Sequence, residues 1–161
     1  MNSGPILAQD STGDDVRRLQ RILVMIKDLD YTGIDGIFGA NTESAVESFQ
    51  QGAGLTVDGI VGTKTWGALP ADPHTPLLRR GSSGGDVHRL QAGLHAYATG
   101  GQGADPGPIN GDFGPRTEHA VRVYQTERGL PVDGVVGDHT WWVPAGAAGA
   151  TLASLSGATT I

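Results

Sequence analysis

The chain has 161 residues, with 26 glycines, five histidines, no cysteine and a formal net charge of −6 from 11 basic and 17 acidic side chains. Acidic groups outnumber basic ones on both sides of residue 70, which excludes the clustered cations of an electrostatic nucleic-acid binder. Without cysteine there is no disulfide framework, thiolate nucleophile or Cys-ligated zinc.

In chain order, Met1-Asn2-Ser3-Gly4-Pro5 lacks a basic patch followed by an apolar stretch, so no conventional signal peptide is visible, although a processed chain would read the same way. Val16, Leu19, Leu23 and Ile26 then mark one face of a helix. The preceding Thr12-x-x-Asp15 offers a hydroxyl cap with a carboxylate three residues on. Next comes a corner, Asp35-Gly36-x-x-Gly39-x-x-Thr42, and a second helix carrying Ala45, Val46 and Phe49 that is expected to stop near Gly52. A second corner, Asp58-Gly59-x-x-Gly62-x-x-Thr65, leads into a short third helix burying Trp66 with Leu69. The alternation in Leu55-Thr56-Val57 is too short to predict a strand.

The pattern then repeats. Asp15-Val16-Arg17-Arg18-Leu19-Gln20 returns as Asp86-Val87-His88-Arg89-Leu90-Gln91, capped by Ser83-x-x-Asp86. The corners return as Asn110-Gly111-x-x-Gly114-x-x-Thr117 and Asp133-Gly134-x-x-Gly137-x-x-Thr140. The second helix returns with Ala120, Val121 and Tyr124, ending near Gly129, and the third with Trp141 and Val143. A glycine-rich insertion within residues 99–108 separates the two registers. The organisation expected is all-α: two three-helix bundles, 5–70 and 77–144, a Pro-rich linker at 71–76, and an Ala/Gly-rich tail at 145–161. The tail reads as a flexible extension or a weakly docked segment, and no run of about 18 apolar residues predicts membrane insertion.

The four corners have a structural job. Asx before Gly favours a tight turn in which the first glycine (Gly36, Gly59, Gly111, Gly134) supplies positive φ, the second (Gly39, Gly62, Gly114, Gly137) starts the helix, and the threonine hydroxyl bonds back. Asp35, Asp58 and Asp133 are therefore read first as scaffold. The functional alternative is that the helix N-termini at the corners receive a ligand carboxylate.

Taken together, Leu78-Arg79-Arg80-Gly81-Ser82-Ser83-Gly84-x-Asp86-Val87, Gly111-x-Phe113-Gly114-Pro115-x-Thr117 and Gly129-Leu130-Pro131-Val132-Asp133-Gly134-Val135-Val136-Gly137-x-x-Thr140-Trp141 resemble the peptidoglycan-binding domain 1 family. The first copy matches through Asp35-Gly36-Ile37-Phe38-Gly39 and Val57-Asp58-Gly59-Ile60-Val61-Gly62-Thr63-Lys64-Thr65-Trp66, and the resemblance spans nearly all of 6–143. It implies a three-helix fold, non-catalytic attachment to bacterial cell-wall peptidoglycan, and frequent tethering of a wall hydrolase. It also implies a cell-wall or extracellular location, while the missing leader leaves a cytoplasmic one open. The copies depart from the pattern at Ala8-Gln9-Asp10, where the second has Arg79-Arg80-Gly81, and at Asn110.

Chemistry beyond binding finds little support in the residues. His74, His88, His95, His119 and His139 are scattered, with no paired spacing for zinc. Gly81-Ser82-Ser83-Gly84 lacks the strand of a nucleophile elbow, and Gly100-Gly101-Gln102-Gly103 lacks the Lys of a phosphate loop. The expectation is a non-catalytic chain without metal or cofactor. Stem-peptide carboxylates call for planar cationic donors, so Arg79, Arg80 and Arg116 lead the ligand candidates in the second copy, beside Asn110 and Asp112. Arg17 and Arg21 follow in the first copy, and Trp142 is expected outward as a sugar platform, whereas Trp66 and Trp141 sit at core positions. Two modules on one polymer would gain avidity. The competing reading is a structural or adaptor protein using the fold for protein contacts, with a wall hydrolase or an assembly component as partner.

Overall fold

A computed structural model describes residues 2–146 and 150–157, and among these the regular structure is helical, with no extended strand. The chain divides into two compact units, Met1–Pro73 and His74–Ile161. The first holds α1 (Asp14–Met25), a 3-10 turn (Tyr31–Gly33), α2 (Ala40–Gly52) and α3 (Thr63–Ala68). The second holds α4 (Gly85–Thr99), α5 (Pro115–Glu127), α6 (Asp138–Trp142) and α7 (Leu152–Leu155).

Each core follows from the apolar spacing. Val16, Leu19 and Leu23 are fully buried with Phe38, Val46, Val61 and Trp66. Val87, Leu90, Phe113, Val121 and Trp141 occupy the same places in the second unit. Trp66 donates its ring N–H to the carbonyl of Pro5 at 2.8 Å, and Trp141 does the same to Pro76. Each indole thereby fixes the segment that leads into its unit while its rings fill the core.

The helix starts differ from expectation. Thr12 and Ser83 do not cap α1 and α4; the cap residues are Gly13 and Gly84, without a side-chain cap bond. Thr12 is instead drawn into a one-residue antiparallel bridge with Ile37, and Ser83 into one with Asp112. Gly13 N–H reaches the carbonyl of Gly36 at 3.0 Å, and Gly84 N–H that of Gly111 at 2.9 Å. Pairing with the corner therefore outcompetes the local cap. Further bridges, Leu7 with Val61 and Leu78 with Val136, tie each unit's leading segment to its second corner.

The ends of α2 and α5 close by one device. Leu55 N–H returns to the Gln50 carbonyl and Leu130 N–H to that of Gln125, each at 2.9 Å, the signature of a Schellman cap. The α2 helix ends at Gly52, as expected, and the left-handed glycines of the two caps are Gly54 in the first unit and Gly129 in the second.

Residues of the tail contribute a helix. Thr151 and Ser154 form a reciprocal capping box, which lets a four-residue helix exist, and Leu152 and Ala153 are fully buried where α7 packs on α4 and α6. The rest of the tail, 147–149 and 158–161, lies outside the described residues. The expectation for Trp142 is corrected here: the side chain is 4 % exposed, with its ring N–H 3.4 Å from the Thr75 hydroxyl. The indole is held against the segment leading into the unit, not presented to solvent.

Candidate functional site

Four corners, each built around a buried glutamine, dominate the polar architecture. Gln20, Gln50, Gln91 and Gln125 are at most 1 % exposed. In the second corner of the first unit, Gln50 Oε1 accepts the backbone N–H groups of Asp58 and Gly59 at 3.1 and 3.0 Å. Its Nε2 faces Asp58 Oδ1, the Ile60 carbonyl and Thr65 Oγ1 at 3.0, 3.0 and 3.2 Å. The amide orientation is fixed chemically, because a backbone N–H can only donate and so must meet the oxygen. Asp58 Oδ1 closes the turn by accepting Ile60 N–H at 3.0 Å.

The same arrangement recurs three times. Gln20 holds Asp35, Gly36, Ile37 and Thr42. Gln91 holds Asn110, Gly111, Asp112 and Thr117. Gln125 holds Asp133, Gly134, Val135 and Thr140. Gly36, Gly59, Gly111 and Gly134 all have φ between 73° and 80°, the left-handed region that glycine occupies at low cost. Gly39, Gly62, Gly114 and Gly137 cap the following helices in extended geometry. The backbone N–H of Ile60 and the Gln50 amide hold the Asp58 carboxyl below its ordinary 3.8. Asn110 keeps every one of these contacts, since only its Oδ1 is used.

These glutamines are what reading the chain for charged and aromatic chemistry overlooks. The signal was present as a polar residue on a buried helical register, Gln20 four residues after Val16 and Gln50 four after Val46, matched by Gln91 and Gln125.

Clefts open beside two corners of the first unit. One, of about 510 Å³, lies between residues 28–33 and the start of α2 and presents Asp28, Asp30, Thr32, Asn41 and Ser44. The other, of about 300 Å³, is lined by Leu55, Thr56, Ile60, Thr63 and Lys64. In the second unit the glycine-rich insertion approaches the equivalent first corner. A side chain at Gly107 would meet Arg116 Nε at 2.9 Å, so this exposed arginine lies against the insertion.

The remaining candidates are placed as follows. Arg79 is exposed, its backbone N–H bonded to the Ser82 hydroxyl. Arg80 is paired with Glu118 on α5 at 3.5 Å. Arg21 is paired with Asp72 at 3.6 Å, and Arg17 lies over Gly36, with its Nε 3.0 Å from where a Cβ would stand. Asp112 is exposed and lends its backbone to the corner. His74 pairs with Asp86 at 3.0 Å and His95 with Asp105 at 4.0 Å. Among the described residues no helix is long and apolar enough to cross a membrane.

A corner motif repeated twice in each of two units is matched by one family, described as a putative peptidoglycan binding domain, over residues 12–69 and again over 83–142. The chain belongs to that family, in two copies. Its modules are peptidoglycan-binding modules, and peptidoglycan is the ligand that the family assigns to them.

The chain is 31 % identical to N-acetylmuramoyl-L-alanine amidase CwlL of Bacillus licheniformis, over 86 % of its own length and 45 % of the relative's. It is 39 % identical to N-acetylmuramoyl-L-alanine amidase CwlM of Mycobacterium tuberculosis, over 65 % of this chain and 26 % of that protein. Among solved structures, the SleB N-terminal domain is similar, with 39 % identity over 40 % of this chain and 88 % of that one, at a TM-score of 0.37. The chain thus spans less than half the length of these curated relatives. The expectation of a non-catalytic protein is corrected by this comparison. The relatives are named as amidases, and this chain matches less than half of their length, so residue spacing within the binding modules does not report on catalysis.

Proposed function

We propose that the two peptidoglycan-binding modules attach this chain to the cell wall by the peptide stems and glycan of the polymer, in the service of a wall-acting amidase or related hydrolase. The observation that carries the reading is the open cleft of the first module, whose carboxylates, hydroxyls and amide offer a polymer of peptides and sugars a hydrogen-bonding floor. Arg79, Arg80 and Arg116 in the second module, with Arg17 and Arg21 in the first, are the proposed partners for stem-peptide carboxylates. The ion pairs of Arg80 and Arg21 lie near the surface and are worth little, so a ligand carboxylate competes for them at small cost. Two modules on a repeating polymer add avidity of about 10²–10⁴ where both engage at once.

Cosedimentation of the full chain with purified sacculi tests this. Ser44→Trp fills the first cleft from an exposed position, and Arg79→Glu with Arg80→Glu reverses the proposed cationic contact. The charge reversals are expected to weaken retention by about tenfold, as loss of a charge-assisted contact does, the tryptophan is expected to weaken it by blocking the cleft, and the combination further. Retention of the combined variant equal to that of the parent overturns the site assignment. A parent chain that stays in the supernatant while a protein partner captures it favours the adaptor reading.

A further inference from the structure

We propose that α7 is an intramolecular clasp that completes the core of the second unit, replacing a side chain that the first unit supplies from its own leading helix, and that Gly93 is the residue that admits it. The register that aligns Asp15 with Asp86 and Gln20 with Gln91 aligns Ile22 with Gly93. Ile22 is fully buried and belongs to the first unit's core cluster. At the same place on α4 there is no side chain at all. Glycine in the interior of a 15-residue helix costs stability relative to almost any other residue, so its presence needs a compensating contact.

That contact is the C-terminal segment. A Cβ on Gly93 would lie 3.1 Å from the backbone nitrogen of Ser156 and 3.2 Å from its Cα, and would overlap the Ser156 hydroxyl. The hydroxyl can turn away, but the two backbone atoms cannot, and they stand tighter than an ordinary Cβ contact, so a side chain at position 93 pushes against the docked α7. Leu152 and Ala153 are fully buried, and Ser156 is 6 % exposed. Pro144 bridges Thr151, Ala145 N–H reaches the Ala150 carbonyl at 2.8 Å, and the Thr151 capping box starts the helix at its docking point. The family match ends at residue 142, before any of these residues, so the second module's folded unit extends beyond the matched range.

Hydrogen exchange on the full chain, with α1 as internal reference, tests the clasp without recourse to wall binding. Leu152→Asp places a charge in the docking site and is expected to speed exchange of the α4 amides of Leu90 and Leu94 by at least tenfold, while the α1 amides of Leu19 and Leu23 are unchanged. Gly93→Ile restores the first unit's residue and is expected to expel the clasp: the Leu155 and Ser156 amides, bonded to the Thr151 and Leu152 carbonyls, lose protection while α4 keeps its own. Combining the two changes is expected to return α4 protection lost in Leu152→Asp alone. Gly93→Ala, which adds only the Cβ and favours the helix, covers the case in which isoleucine disrupts α4; it too is expected to weaken the protection of Leu155 and Ser156. Leu155 and Ser156 amides that stay protected in Gly93→Ala, or α4 amides indifferent to Leu152→Asp, overturn the proposal.

Discussion

Gln50 Nε2 lies 3.0 Å from the Oδ1 of Asp58, eight residues further along the chain, and Gln125 meets Asp133 across the same interval at 2.9 Å. A helix that ends and a corner that begins are thereby joined by one side chain. The Gln50 carbonyl also closes the cap of α2, so backbone and side chain of a single residue hold both sides of the turn.

Removing that side chain strands the Asp58 and Gly59 N–H groups and the Thr65 hydroxyl. Gln50→Ala or Gln125→Ala is expected to destabilise its own unit by about 3 kcal/mol, the sum of unsatisfied buried groups and lost packing. Gln50→Glu is expected to do no better despite its shape, because an oxygen would then face two groups that can only accept, Asp58 Oδ1 and the Ile60 carbonyl. Thermal unfolding followed by circular dichroism reads the loss; a Gln50→Glu melting temperature equal to that of the parent would show that the amide donates nothing there.

Asp58 makes the same corner sensitive to acid. Its folded value is depressed by the Ile60 N–H and the Gln50 amide, so the stabilisation is present above the unfolded value near 3.8 and is lost as pH falls through the folded one. Stability of the first unit is expected to decline below about pH 4. Asp58→Asn keeps Oδ1, as Asn110 does in the second unit, and is expected to flatten that part of the acid limb. Urea midpoints between pH 2 and 5 check this, and an unchanged acid slope in Asp58→Asn refutes it.

Asp10 has φ of 78°, whereas the second unit places Gly81, at 95°, in the equivalent turn; their N–H groups bond to the Phe38 and Phe113 carbonyls. Asp10→Gly relieves a left-handed non-glycine residue and is expected to gain about 0.5 kcal/mol after the entropy cost of glycine is counted, with Gly81→Asp losing a similar amount. Chemical denaturation of the two variants is the measurement, and a loss on Asp10→Gly would show that the Asp10 side chain holds the turn.

Local order was written plainly in the sequence. The helices are announced by Val16, Leu19 and Leu23 and their counterparts, the turns by Asx-Gly, and the duplication by the blocks themselves, because periodicity and left-handed glycine are properties of neighbours along the chain. The family, too, was legible in those blocks. The site was less so: which arginines are already paired, with Glu118 or Asp72, depends on helices brought together from distant positions.

Tertiary structure alone decided three matters. Thr12 and Ser83 gave up their expected caps because a bridge to the corner satisfies more backbone than a local hydroxyl bond. Trp142 turned inward, its ring N–H facing the Thr75 hydroxyl from the segment ahead of α4, a contact 67 residues distant in sequence. Each buried glutamine acquired its role only when its helix met a corner 8 to 19 residues away, where five partners converge on one amide. A linear reading ranks residues by what they are beside; these depend on what folding places against them.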